Sequence, residues 1–469
     1  MPSINTVDPA TGKPLATYPA HGWDEIDSVL DEAAGAFTVW SSTSVEQRGD
    51  LLRRVGALLT ERRERYAALI TAEMGKPLAE ARGEIDKCAW NCGIVADHAA
   101  DWLGDHEVAS AAARSWVSYE PLGVVFAVMP WNFPFWQVLR FACAALAAGD
   151  AAVLKHAPNV TGCALAVEAL FADAGAPRGL FRSVLVADDD VTDLVPRIIA
   201  DDRVVAVTLT GSERAGAAVG AAAGAALKKS VLELGGSDPF VVLDDADLPA
   251  AAEAAARSRF GNAGQSCIAA KRFIVADAIA DEFTALLADQ VERITVGDPT
   301  ADGTTMGPLA RADLRDALHR QVTDTLRQGA VLVTGGRPLD GPGFHYAPTV
   351  LDRVEPGMTG FTEETFGPVA CVVRARDDDH AVALANDTEF GLGAAVWSGS
   401  GRGLAVGSRI RSGALFVNAL VASDPRLPFG GIGRSGYGRE LGAEGVREFT
   451  NVRTVFVGAD PAADPATTE

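Results

Sequence analysis

The stretch SWVSYEPLGVVFAVMPWNFPFWQVLRFACAALAAGDAAVLK, residues 115–155, decides the fold. It reads as a strand (SWVSYEP), a turn at Leu122 and Gly123, and a buried apolar strand (VVFAVM). An Ala-rich helix (FWQVLRFACAALAAG) and a second buried strand (AAVLK) follow. Strand, helix, strand is the parallel βαβ pattern, because two parallel neighbours need a crossover long enough to return the chain. The unit repeats downstream in the helix CALAVEALFADAG, the strand RSVLVA, the helix VTDLVPRIIAD and the strand VVAVTLT. The first half is therefore expected to be an open, doubly wound parallel sheet. After Val231 another cycle begins, with strands PFVVL, RFIVA and VACVVRA separated by helical runs such as DEFTALLADQVERI. Upstream, Trp23 to Asp105 alternates apolar positions with Glu/Arg-rich faces at helical spacing, and Gly75 with Pro77 marks a helix end.

This reading divides the chain into an α/β unit from residues 1–105 and 121–234 and a second α/β unit from 235–430. A small β element is formed by 106–120 and 450–457, and an unstructured tail covers 458–469. The terminal strand NVRTVFV has the segment around SWVSYEP as its natural partner. Two such strands leave an open edge that another subunit would cover, so a homodimer or homotetramer is expected.

Composition narrows the function. A chain of 469 residues exceeds one compact core, and 48% hydrophobic with 22% charged residues is ordinary globular usage. A net charge of −21 disfavours nucleic acid and anionic membrane surfaces, which demand clustered Lys and Arg. It does not disfavour a small anionic substrate held by a local Arg. The six cysteines, Cys88, Cys92, Cys143, Cys163, Cys267 and Cys371, form no CxxC pair, which points to a reducing, cytoplasmic setting. The N-terminus carries no basic region followed by an apolar run, and no apolar stretch is long enough to span a bilayer.

No P-loop, HExxH or GxSxG elbow occurs, and no metal site is expected. One GxGxxG, at Gly431, Gly433 and Gly436, follows LPFG rather than a strand and is read as a loop. Four other segments belong together: VMPWNFPFW (128–136), LTGSERAG (209–216), VLELGG (231–236) and FGNAGQSCIA (260–269). With EETFGPV (363–369) and LPFGGIGRSGYGRE (427–440), they resemble the aldehyde dehydrogenase superfamily from about Asn5 to Val457. The resemblance implies a dinucleotide-binding first unit, a nucleophile-bearing second unit, and an oligomerisation role for the small β element.

Oxidising an aldehyde by hydride transfer requires a nucleophile to add first, since the carbonyl carbon cannot otherwise expel hydride. Cys267, in the polar turn NAGQSC, is the candidate, whereas Cys143 and Cys163 lie in apolar helices. The oxyanion formed on addition needs donors, and the Asn132 amide with the Cys267 backbone N–H can supply them. Asn132 also suits a plain turn residue. Hydrolysing the resulting thioester needs a general base. Glu233, between Leu232 and Leu234 at the end of an apolar strand, is expected to be partly desolvated with a raised pKa. For an NAD or NADP cofactor, Thr210 to Ser212 closes a strand and opens a helix, so backbone N–H groups around Gly211 and the Ser212 hydroxyl can meet a pyrophosphate. The resemblance adds Trp131, Lys155, Glu364 and Phe366 to the cofactor set. Many NAD-preferring relatives carry Glu three residues after the Lys; Pro158 stands there, so use of both cofactors is expected.

Residues 132, 136 and 140 differ by four and share one face if the helical turn reaches back to Asn132, aiming Trp136 and Arg140 at one pocket. A guanidinium on so apolar a face needs an anion, from the substrate or from an internal Asp or Glu. The chain resembles the bacterial succinate-semialdehyde dehydrogenase branch. That resemblance implies Arg140, assisted by Ser423, as the clamp for a substrate carboxylate, with succinic semialdehyde as the aldehyde. Glutaric semialdehyde, a neutral aldehyde, transfer to coenzyme A and an idle structural protein are the alternatives.

Overall fold

The computed structural model describes residues 2–458, so the expected tail, Gly458 apart, lies outside the described residues. The strands Val124–Met129 and Ala151–His156 pair in parallel, Val124 opposite Ala151, and both are buried almost throughout. The connecting helix Trp136–Ala148 is buried at all 13 positions. It lies among the Val45–Glu61 and Leu78–Trp102 helices and the first sheet. Small residues explain the fit: the Ala-rich run lets neighbouring backbones approach closely, while Phe141 fills one gap against Phe449. The helix ends at Gly149 with φ 103, where a Cβ would overlap the Arg48 guanidinium and Pro121, so glycine is required on both counts.

The first sheet has six strands in the order Gly436–Tyr437, Lys229–Glu233, Val204–Thr210, Val124–Met129, Ala151–His156 and Phe181–Ser183, all parallel except the first. The second has seven, in the order Val331–Thr334, Thr349–Asp352, Val369–Ala375, Arg272–Ala276, Pro239–Val242, Gly393–Trp397 and Ala414–Val417. Only its first pair is antiparallel. A third, antiparallel sheet joins Thr450–Val457 to Arg114–Pro121 and then to His106–Glu107, with Val455 opposite Trp116. Val452, Phe456 and Val457 on its outer strand are exposed.

Several local readings change. RSVLVA contributes only Arg182 and Ser183 to a strand, Phe181–Ser183; residues 184–187 are irregular and lead to the Asp188–Asp190 helical turn. The N-terminal hairpin Ser3–Val7 with Pro14–Pro19 lacks a continuous apolar run and went unread. After the second sheet the chain returns to the first core, where Phe429, Leu441, Val446 and Phe449 are buried. No helix among the described residues is long and apolar enough to cross a membrane.

Candidate active site

Parallel sheets gather function at the carboxyl ends of their strands, and in the first sheet the expected residues lie there, whereas in the second they precede the strands. Thr210 and Glu233 end adjacent strands of the first sheet, paired in register. Cys267 sits in the loop just before the Arg272–Ala276 strand of the second.

That loop holds an unusual backbone. Asn262 and Ala263 have φ of 52° and 51°, a left-handed conformation that costs non-glycine residues about 1–3 kcal/mol each. Cations hold it in place. Buried Arg259 donates to the carbonyls of Gly264 (2.8 Å), Ala270 (3.1 Å), Thr365 (3.0 Å) and Gly367. Buried Lys271 donates to the Cys267 carbonyl at 2.9 Å. The Asn262 amide donates to the carbonyls of Asn132 (2.9 Å) and Gln265 (3.1 Å), tying this loop to the first sheet's side.

Two cavities meet at Cys267. One, of about 340 Å³, is lined by Glu84, Lys87, Trp136, Arg140, Ser423 and Phe429 among others. The other, of about 230 Å³, is lined by Trp131, Asn132, Gly211, Ser212, Glu364 and Phe366. Only Gln137 and Cys267 line both. The thiol is half-buried at this junction, and burial pushes it up to about 11, with Arg140 and Lys271 partly opposing the rise. Among the described residues the Cys267 backbone N–H has no acceptor. The Asn132 amide gives one hydrogen to the Gln265 carbonyl at 3.1 Å and keeps the other. Two N–H donors thus remain without a protein partner on residues that share one cavity lining.

The second cavity gathers most of the residues expected to hold a nicotinamide cofactor. Trp131 and Phe366 meet edge to face at 5.9 Å. Glu364 accepts from the Gly236 N–H at 3.1 Å and pairs with Lys271 at 3.5 Å. A Cβ at Gly235 would overlap the Glu364 carboxylate, so the glycine leaves this cradle open. One donor is not as expected: the Gly211 N–H goes to the Glu233 carbonyl (3.0 Å). The Ser212 oxygen caps the next helix by accepting from Ala215 N–H (3.3 Å), which leaves its hydroxyl hydrogen free. The Glu213 and Arg214 N–H groups have no intrahelical acceptor and, with that hydrogen, could meet an anion. Lys155, at the end of Ala151–His156, does not line this cavity. Burial lowers its pKa, opposed by the charge of Asp188.

Glu233 differs from expectation in degree. It is completely enclosed, lines neither cavity, and has no hydrogen-bond partner on either oxygen. A Cβ at Gly430 would lie 2.6 Å from its Oε1, so glycine there makes its room. Burial first, then the negative charge of Glu440, raise its carboxyl well above the usual range.

The substrate side needs two corrections. The helix begins at Trp136, preceded by a turn in which Gln137 N–H bonds the Phe133 carbonyl, so Asn132 stands outside it. Asn132 therefore faces the cofactor-side cavity while Trp136 and Arg140 line the other. Arg140 also has its anion already: Glu440, each side chain only 1% exposed. The internal carboxylate lies 300 residues away in sequence, beyond any local pattern. The sequence reading missed Lys87, half-buried on the Leu78–Trp102 helix. It donates to Ser423 Oγ at 2.7 Å and lies 4.4 Å from the Trp136 ring centre. Burial, then the Arg140 charge, pull its ammonium down to about 8. Its helical neighbour Glu84 pairs with Lys76 and caps the Phe135 and Trp136 N–H groups at 2.9 and 3.0 Å.

The sequence profile described as the aldehyde dehydrogenase family matches residues 2–455. A probable NADP(+) succinate-semialdehyde dehydrogenase of Synechocystis is 47% identical over 97% of this chain and 100% of its own. The Escherichia coli NAD(P)+ succinate semialdehyde dehydrogenase Sad is 47% identical over 96% and 97%. The crystal structure of the Streptococcus pyogenes succinic semialdehyde dehydrogenase with NADP+ superposes with a TM-score of 0.94 at 36% identity, covering 97% of this chain and 100% of that one.

Proposed function

The chain belongs to the aldehyde dehydrogenase family, and from that premise we propose that it oxidises succinic semialdehyde to succinate, with NAD or NADP, through a thioester on Cys267. The observation that carries this reading is the junction: Cys267 lines both a cavity suited to a nicotinamide and a second cavity walled by Lys87, Arg140 and Ser423.

The thiol gives its proton to solvent water and the sulfur adds to the aldehyde carbon, placing negative charge on the oxygen. The Cys267 N–H and the free Asn132 amide hydrogen stabilise that charge, each donor lowering the barrier by roughly 3 kcal/mol. A bound nicotinamide would supply the acceptor for the hydride that the tetrahedral carbon releases. Trp131, Ser212, Glu364 and Phe366 would hold it in the cavity, the chain at Gly211 would back it, and Lys155 would reach its adenosine ribose. Burial raises the Glu233 carboxyl pKa where it stands. Turned from beside Gly430 toward the sulfur and hydrated, it would release its proton to solvent, and as the carboxylate it would take a proton from the water that cleaves the thioester. A retained carboxyl base supports water over coenzyme A as acceptor.

The division of labour among units follows: residues 1–105 and 121–234 bind the dinucleotide, 235–430 carry the nucleophile, and 106–120 with 450–457 mediate assembly. The exposed apolar outer strand supports a homodimer or homotetramer, and the six free thiols support a cytoplasmic location. The test is reduction of NAD and NADP by succinic semialdehyde, glutaric semialdehyde and butyraldehyde. The four-carbon anion is expected to be preferred, and Cys267→Ser to abolish turnover. Equal turnover of butyraldehyde, a coenzyme A ester product, or turnover by Cys267→Ser overturns the reading.

A further inference from the structure

Lys271 lines neither cavity, yet its side chain touches a group that each depends on. Its backbone N–H donates to the Asp238 carbonyl at 3.0 Å, just before the Arg272–Ala276 strand begins. From there the side chain, 1% exposed, returns to the turn that carries the nucleophile. The ammonium lies 2.9 Å from the Cys267 carbonyl and 3.3 Å from the carbonyls of Ser266 and Ala269. Its fourth neighbour is Glu364 Oε1 at 3.5 Å, a residue of the nicotinamide-side cavity. Three hydrogens thus serve four acceptors in a place closed to solvent.

A buried ammonium costs free energy, and neutral amides are enough to tie a loop, as Asn262 and Gln265 do at its other end. What the charge adds is polarisation. The Ser266 carbonyl belongs to the same peptide as the Cys267 N–H, which has no acceptor among the described residues. A carbonyl that accepts from a cation draws electrons from its own peptide, so the N–H at the other end becomes a stronger donor. The positive charge also favours the thiolate against burial, together with Arg140, while Asp238 and Glu233 disfavour it. Burial lowers the pKa of Lys271 itself; Glu364 and then Asp238 oppose that fall, and Arg259 adds to it.

Resting on the functional reading above, we propose that Lys271 is a positioning residue that holds the nucleophile's turn and Glu364 as one unit and polarises the Ser266–Cys267 peptide toward the oxyanion. It acts through Cys267 and Glu364, without touching the aldehyde or the cofactor.

The test uses the full-length enzyme. Lys271→Met keeps the stem and removes both charge and hydrogens, whereas Lys271→Gln keeps N–H donors without charge. With saturating cofactor, Lys271→Met is expected to lower kcat for succinic semialdehyde by about 10- to 100-fold, less than deletion of an oxyanion donor, with the aldehyde KM within about twofold. Lys271→Gln should regain part of that kcat, since a neutral donor polarises a carbonyl less than a cation does. Alkylation of Cys267 by iodoacetamide at pH 8 without cofactor should slow about threefold in both variants, a smaller thiolate fraction being partly offset by greater nucleophilicity. The dissociation constant of NADH, read by its fluorescence, should rise about 3- to 10-fold in Lys271→Met, with little further rise in a Glu364→Gln background, where the ion pair is already cut. If Lys271→Met fails to fold, the alkylation rate of Lys271→Gln decides. Wild-type kcat in Lys271→Met, a loss lying entirely in KM, Lys271→Gln no faster than Lys271→Met, alkylation at the wild-type rate, or additive NADH losses with Glu364→Gln overturns the proposal. A wild type that reduces neither NAD nor NADP with succinic semialdehyde overturns the functional reading instead, before any variant is made.

Discussion

Replacing Glu440 by Gln tests the buried centre from which Arg140 and Glu233 take their electrostatics. The substitution preserves shape and an acceptor oxygen, so the change is one of charge. Arg140 and Glu440 are each 1% exposed at the side chain, leaving no water to take over the lost partner. Two unit charges roughly 3 Å apart attract by about 5 kcal/mol at an effective dielectric of about 20. Removing one partner of a buried pair costs about 3–5 kcal/mol. A chain with two cores does not unfold in two states, so the melting temperature is the proper measure, and a fall of roughly 4–8 °C is expected. Arg140→Met combined with Glu440→Leu should recover most of that loss, because two matched apolar side chains leave no orphaned charge. The pH profile supplies a second readout. Glu440's negative charge raises the Glu233 pKa, and a base works above its pKa. Glu440→Gln lowers that pKa, so the rising limb of thioester hydrolysis should move to lower pH. The reasoning fails if Glu440→Gln melts within about 1 °C of wild type, or if the double variant falls by the sum of the single losses.

Asn132→Ala removes one oxyanion donor and should lower kcat by about 100- to 1000-fold while leaving cofactor affinity near wild type, measured by steady-state kinetics and nicotinamide fluorescence. Alkylation of Cys267 by iodoacetamide without cofactor should accelerate about tenfold per pH unit until the thiol titrates at about 11; a plateau by about pH 8 would show an ordinary thiol. Gly235→Ala sets a methyl group against the Glu364 carboxylate and should weaken cofactor binding by at least about tenfold, as overpacking of 1–3 kcal/mol implies.

How much of this was legible in the sequence depends on the distance over which each contact forms. The βαβ cycle around Trp136–Ala148 was readable because an apolar run and a helical period are local signals, and both appear in the sheet order. Cys267 and Asn132 were readable through their motifs, and the structure brings them to one junction. Arg140 was recognised as needing an anion, but local spacing cannot say which, and the partner proved to be Glu440. Lys87 lay beyond reach for the same reason. On its helix it resembles any exposed lysine, and only the approach of Ser423, 336 residues away, gives it a pocket. The short strands of the second sheet, such as Ala414–Val417, escaped because four residues carry too little pattern to separate from loop.

The edge strand Gly436–Tyr437 completes the first sheet beside Glu233, yet it is made only after the whole of the second sheet. During synthesis the amino-terminal half therefore emerges without its closing strand, without Glu440, and without Phe429, Leu441, Val446 and Phe449 for its core. The first core is therefore complete only once residues 429–449 have been made, so the two halves are not independent units in order of synthesis.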